Sequence, residues 1–150
     1  MDSVIDKLKI LITDNDQWIN GEGTFEGDPF FIRYRPHLSD FVESKLFPYR
    51  LIIQWPFKGP EPSKKVYEAM IELEDLLVKK FEELDVKGVL AFVYTPATSK
   101  EWHMYVQKQI ATKTILYEIL KQYRQYPIEY IIRKDSDWEH YKQVLDESGE

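Results

Sequence analysis

Between Tyr49 and Phe57, apolar and polar positions alternate. Tyr49, Leu51, Ile53, Trp55 and Phe57 lie on one side, and Arg50, Ile52 and Gln54 on the other. A strand with one buried face needs that period of two. The rest of the chain reads as elements arranged around this strand. Val4, Ile5, Leu8, Leu11 and Ile12 recur at helical spacing and predict a short amphipathic helix, with a linker up to residue 16. That helix either packs onto the domain or docks a partner. Residues 17–36 predict a hairpin, with strands Trp18–Phe25 and Phe30–Arg35 around turn residues Glu26 to Pro29. Asn20-Gly21 is the alternative turn.

After a connection from His37 to Phe47 comes the central strand, closed by Pro56, Gly59, Pro60 and Pro62. Ser63 can cap a long helix whose stripe is Val66, Met70, Leu73, Leu77, Phe81 and Leu84. Lys87-Gly88 breaks the chain before an apolar strand, Val89–Thr95, and a loop through Ser99 leads to a partner strand, Trp102–Gln107. A helix over about 111–123, a strand Ile128–Arg133 and a final helix follow. Ser136 and Glu139 have the spacing of a capping box for that last helix.

From Tyr49 the order is strand, helix, strand, strand, helix, strand. It predicts an α+β fold with a ferredoxin-like split βαβ core over residues 49–134. The hairpin would extend the sheet at an edge, and a C-terminal helix over 135–147 would complete a single domain, 1–150. Right-handed crossovers put both core helices on one sheet face. Parity then leaves Arg50, Gln54, His103 and Tyr105 on the other face, with Arg33 and Arg35 joining from the hairpin. An open face carrying these six residues is the candidate recognition surface. The competing readings are that the N-terminal segment folds over it, or that these polar groups simply meet water.

Charge and composition narrow the function. A net charge of -6 disfavours binding along a phosphate backbone, so nucleic acid is not an expected partner. The absence of cysteine excludes disulfides, thiol catalysis and thiolate metal sites. No apolar run has the ~20 residues of a membrane span, and the N-terminus lacks the pattern of a secretory signal, so a cytoplasmic protein away from membranes is expected. Aromatic residues make up 15% of the chain, a content compatible with a rich core or with a binding surface.

Candidate chemistry is sparse. His37, His103 and His140 have no second histidine three or four residues away, so no local zinc motif exists and no metal or cofactor is expected. Gly21, Gly23 and Gly27 lack the spacing of a phosphate loop. His103 could serve as a general base or as a hydrogen-bonded structural residue. No residue is assigned a catalytic role.

The segments DPFFIRYRP (28–36), YRLIIQWPF (49–57), EWHMYV (101–106) and DWEHY (137–141) resemble a bacterial domain family of unknown function, family six-nine-five. The resemblance covers nearly everything after Trp18. It implies some similarity in architecture to the regulator of ribonuclease activity B, an acidic ferredoxin-like protein that binds a ribonuclease, and it brings no catalytic residues. The functional expectation is a non-enzymatic interaction or regulatory domain that binds a protein. The alternative is a small-molecule-binding domain or hydrolase with a pocket near Arg33, Arg50 and His103.

Overall fold

The strand expected at Tyr49 runs from Tyr49 to Pro56 and lies inside the sheet, with Leu51, Ile53 and Trp55 buried on one side of it. The computed structural model describes residues 3–13, 16–39, 41, 45–83 and 85–147. Its elements in chain order are α1 (Ser3–Thr13), β1 (Ile19–Phe25), β2 (Asp28–Tyr34), β3 (Tyr49–Pro56) and α2 (Lys64–Glu82), then β4 (Gly88–Thr95), β5 (Ser99–Val106), α3 (Gln109–Leu120), β6 (Glu129–Lys134) and α4 (Glu139–Glu147). A 3-10 turn, Lys121–Tyr123, extends α3. Leu84, the expected end of the long helical stripe, lies outside the described residues.

The strands form one six-stranded sheet in the order β1-β2-β4-β5-β3-β6. Every neighbouring pair is antiparallel, so the described residues form a mixed α+β arrangement of one sheet and four helices. The hairpin turns at Glu26 and Gly27, both at positive φ (51 and 86), the pair of conformations a two-residue turn needs to match strand twist. Asn20 and Gly21 are paired within β1, so the alternative turn there is not used. Ser63 caps α2 as expected, its Oγ accepting from the Val66 N–H at 3.3 Å.

Helices cover both faces. On the first, Met70, Leu73, Leu77 and Phe81 of α2 and Leu116 and Ile119 of α3 pack on Leu51, Ile53, Trp55, Trp102, Met104 and Val106. On the second, Leu8 and Ile12 of α1 and Trp138 and Tyr141 at α4 pack on Tyr34, Val89, Phe92 and Tyr105. The face expected to be open is therefore largely covered, by the C-terminal helix as well as the N-terminal one. The reason is economy of apolar stripe: α1 and α4 each carry one, and the first face is already occupied. An irregularity in β4 sets Leu90 opposite Met104 but Phe92 opposite His103. The extra residue sends Ala91 and Phe92 both to the second face, while Leu90 and Val93 stay on the first.

Candidate functional site

Two places hold the chemistry-bearing side chains. The first is a polar cluster on the second face. Arg50 Nη1 lies 3.0 Å from His103 Nδ1. A guanidinium offers only N–H donors, so Nδ1 accepts and the ring proton sits on Nε2, which donates to Glu101 Oε1 at 2.9 Å. Phe92 stacks on the imidazole, with ring centroids 4.2 Å apart. Burial pulls His103 below its ordinary 6.5, against the pull of Glu101 and with a contribution from Arg50.

Next to it, the Tyr105 hydroxyl donates to Asp135 Oδ2 at 2.8 Å, and Arg50 Nε stands 3.5 Å from the same oxygen. Burial, with the bond to Asp135, raises Tyr105 far above the usual phenol range. Asp135 Oδ1 accepts from the Glu139 N–H at 2.8 Å, so Asp135 caps α4 in place of the expected Ser136 capping box. Both nitrogens of His103 are thus engaged, and the ring is only 5% exposed. This is the wiring of a held structural histidine rather than a free base.

The arginines of β2 are elsewhere. The β2–β4 register sets Tyr34 against Phe92 and Arg33 against Val93, so Arg33 belongs to the first face with α2. Its Nη2 donates to Glu74 Oε1 at 2.5 Å. Arg35 is buried and forms a bidentate pair with Glu82, with Nη1–Oε2 at 2.8 Å and Nη2–Oε1 at 3.1 Å, and a second one with Asp16. Both guanidinium carbons lie 4.7 Å from the centroid of the Trp18 ring. Of the six expected site residues, Arg50, Gln54, His103 and Tyr105 share a face; Arg33 and Arg35 do not join them. Gln54 is exposed, its Nε2 reaching Glu101 Oε2 at 3.4 Å, while Arg35, Arg50, His103 and Tyr105 are buried. Arg33 lies on the opposite face of the sheet from Arg50 and His103.

The second place is a cleft of about 800 Å³ at one end of the sheet. The turn end of β2, the β3–α2 loop, the first turns of α2 and the β4–β5 loop enclose it. Phe31, Phe57, Tyr67 and Met70 form apolar walls, Pro29, Pro60, Pro62 and Pro96 stiffen the rim, and Asp28, Glu61, Lys64 and Lys100 supply charge. Phe31 and Tyr67 are 56% and 52% exposed. Lys100 enters between aromatic rings, with Nζ 5.9 Å from the Tyr67 centroid and 5.4 Å from Trp102. Among the described residues it has no ion-pair partner within 4.0 Å; the nearby Glu74 Oε1 is bonded to Arg33 and to the Trp102 indole N–H. Burial draws the Lys100 ammonium below its ordinary 10.5, opposed by Glu74 and aided by Arg33. No group of His, Asp and Glu able to hold a metal occurs among the described residues.

Lys100 was reachable from the sequence. Continuing the Trp102, Met104, Val106 alternation one step back places it on the α2 face. The expected strand began at Trp102, whereas β5 begins at Ser99.

A family model described as a family of unknown function, DUF695, matches residues 16–145. The chain belongs to this family. No curated protein and no solved structure matches it. Within the DUF695 match lie both the Arg50–His103–Asp135 cluster and the Lys100 cleft, whereas α1 precedes it. No helix among the described residues is long and apolar enough to cross a membrane.

Proposed function

We propose that this DUF695 chain is a non-enzymatic interaction domain, and that it engages a protein partner at the Lys100 cleft. The observation that carries the reading is the cleft itself: apolar walls, a stiff proline rim, and a partly buried cation, Lys100, with no ion-pair partner within 4.0 Å among the described residues. Its volume falls in the range of binding sites, roughly 300–1,000 Å³. Ile71, 45% exposed, follows Tyr67 by one helical turn and carries the apolar surface beyond the cleft along α2. That extension favours a polypeptide segment over a compact small molecule. A buried cation costs free energy until it is paired, so the segment expected here sets a carboxylate on Lys100 and apolar side chains against Phe31 and Tyr67. The locked state of His103 supports binding over hydrolysis.

The order β4-β5-β3-β6, antiparallel throughout, with α2 and α3 on one face, supports reading residues 49–134 as a ferredoxin-like split βαβ unit. In that reading β1 and β2 extend the sheet beside β4. The cysteine-free composition is in keeping with a cytoplasmic location.

Selection from a displayed peptide library tests the function. Enriched sequences should pair an acidic residue with an aromatic or aliphatic one, and their affinity should fall at least about tenfold for Tyr67→Ala and Lys100→Gln. Absence of an enriched sequence class, or binders indifferent to both substitutions, overturns the reading.

A further inference from the structure

Among the described residues β6 ends the sheet, with β3 on one side and no strand on the other. Five of its six residues are exposed, including Ile131 at 49%. A free edge presents unpaired N–H and C=O groups to any chain that can align with them. We propose that a second copy of this chain pairs antiparallel along β6, joining two sheets across a two-fold axis. This goes beyond the cleft and rests on different residues.

Symmetry restricts the register. A two-fold axis normal to the sheet keeps each side chain on its own face, so directly opposed residues must share parity. Centred on Ile131, the pairing sets Ile131 against Ile131 of the second copy, Glu129 against its Arg133, and Tyr130 against its Ile132. On one face, two Glu–Arg pairs then flank an apolar contact. Centring on Ile132 would oppose Glu129 to Asp135, and centring on Tyr130 would leave Arg133 beyond the opposing strand. Charge complementarity therefore selects a single register.

The other edge lacks this property. β1 reads INGEGTF, with an acid and no base. Self-pairing centred on Glu22 would oppose two carboxylates, flanked on their own face only by Asn20 opposite Thr24, with Gly21 opposite Gly23 on the other face. Five paired residues on each strand make a small interface, below the ~1,200 Å² of stable complexes, so the association is weak and concentration-dependent.

Sedimentation velocity of the full chain from about 1 μM to about 1 mM tests the pairing, a span that brackets weak association. The expected result is a monomer that passes to a dimer within that range. Glu129→Arg should hold the chain monomeric, because it opposes arginines at both ends of the pairing. Glu129→Arg with Arg133→Glu should restore the dimer, because the exchange regenerates both pairs. Ile131→Lys should also abolish it. All three sites are exposed, and an unchanged circular dichroism melt identifies folded variants. A monomer at every concentration, a dimer indifferent to Glu129→Arg, or a folded double variant that stays monomeric would overturn the proposal.

Discussion

Arg50 Nη1 and His103 Nδ1 are 3.0 Å apart, and this contact fixes the protonation state of the imidazole. The donor-only guanidinium requires a lone pair on Nδ1, so the folded chain holds His103 neutral, its pKa depressed chiefly by burial. The unfolded chain regains the ordinary value of 6.5. Below that pH the unfolded state binds the extra proton, so stability falls as pH drops from 7.5 toward the folded pKa. His140 is shifted in the same direction and adds to the trend, while Glu101 opposes it at His103. Thermal melts between about pH 7.5 and 5.5 should show a clear loss for the native chain and a flatter profile for His103→Gln. Equal slopes in the two would place the titrating group elsewhere.

Arg35 sits in a buried bidentate pair with Glu82, whose Oε2 also accepts the Leu90 N–H at 2.7 Å. Burial alone would lower Arg35, but Glu82 and Asp16 outweigh it and raise the guanidinium further. Replacing Arg35 with Leu leaves the Glu82 charge buried without its counter-ion, a change expected to cost about 3–5 kcal/mol in urea denaturation. Arg33→Leu is the internal comparison. Its pair with Glu74 is partly solvated and Glu74 keeps the Trp102 bond, so a loss of about 1 kcal/mol or less is expected.

How far the sequence reaches can be seen in these two arginines. The strand at Tyr49 was legible because its alternation is unbroken, and α2 because its stripe and its Ser63 cap agree. The membership of Arg33 and Arg35 in the α2 face was not legible. It depends on the β2–β4 register and on the irregularity at Ala91, neither of which leaves a local sequence signal. The cover over the second face was partly legible: Leu8 and Ile12 in one helix, and Trp138 and Tyr141 at another, needed an apolar surface, and α2 and α3 had taken the first. The Lys100 cleft was not, because it gathers loops distant in sequence, from Asp28 to Lys100.

Gly88 illustrates a different signal, a glycine read from sequence only as a break. It opens β4 opposite Val106, and a Cβ there would stand 2.7 Å from Val106 Cγ1, 3.0 Å from the Tyr105 carbonyl oxygen and 3.2 Å from Phe81 Cδ1. The contact with backbone leaves little room to yield, so Gly88→Ala should cost about 1–3 kcal/mol. Gly27, at φ 86 with nothing within 4 Å, tests backbone strain alone, and Gly27→Ala should cost about 1 kcal/mol. A denaturation series in which Gly27→Ala proves the costlier change would contradict the packing at Gly88.

Asp135 joins the sheet to α4 through three elements at once: the Tyr105 hydroxyl, the Glu139 N–H that starts the helix, and the Arg50 charge. Asp135→Ala therefore removes a helix cap and strands a buried guanidinium, with an expected cost of about 3–5 kcal/mol. Tyr105→Phe removes only the hydroxyl, which donates to Asp135 and accepts the Tyr141 N–H at 3.3 Å, while its ring keeps its stack on Trp138. Its cost should be about 1–2 kcal/mol. Because the two residues share one hydrogen bond, the double variant should lose less than the sum of the singles by about 0.5 kcal/mol or more. Urea denaturation of all four chains measures this. If Asp135→Ala cost no more than Tyr105→Phe, Arg50 would not depend on Asp135 for its charge balance, and the role given to that carboxylate would fail.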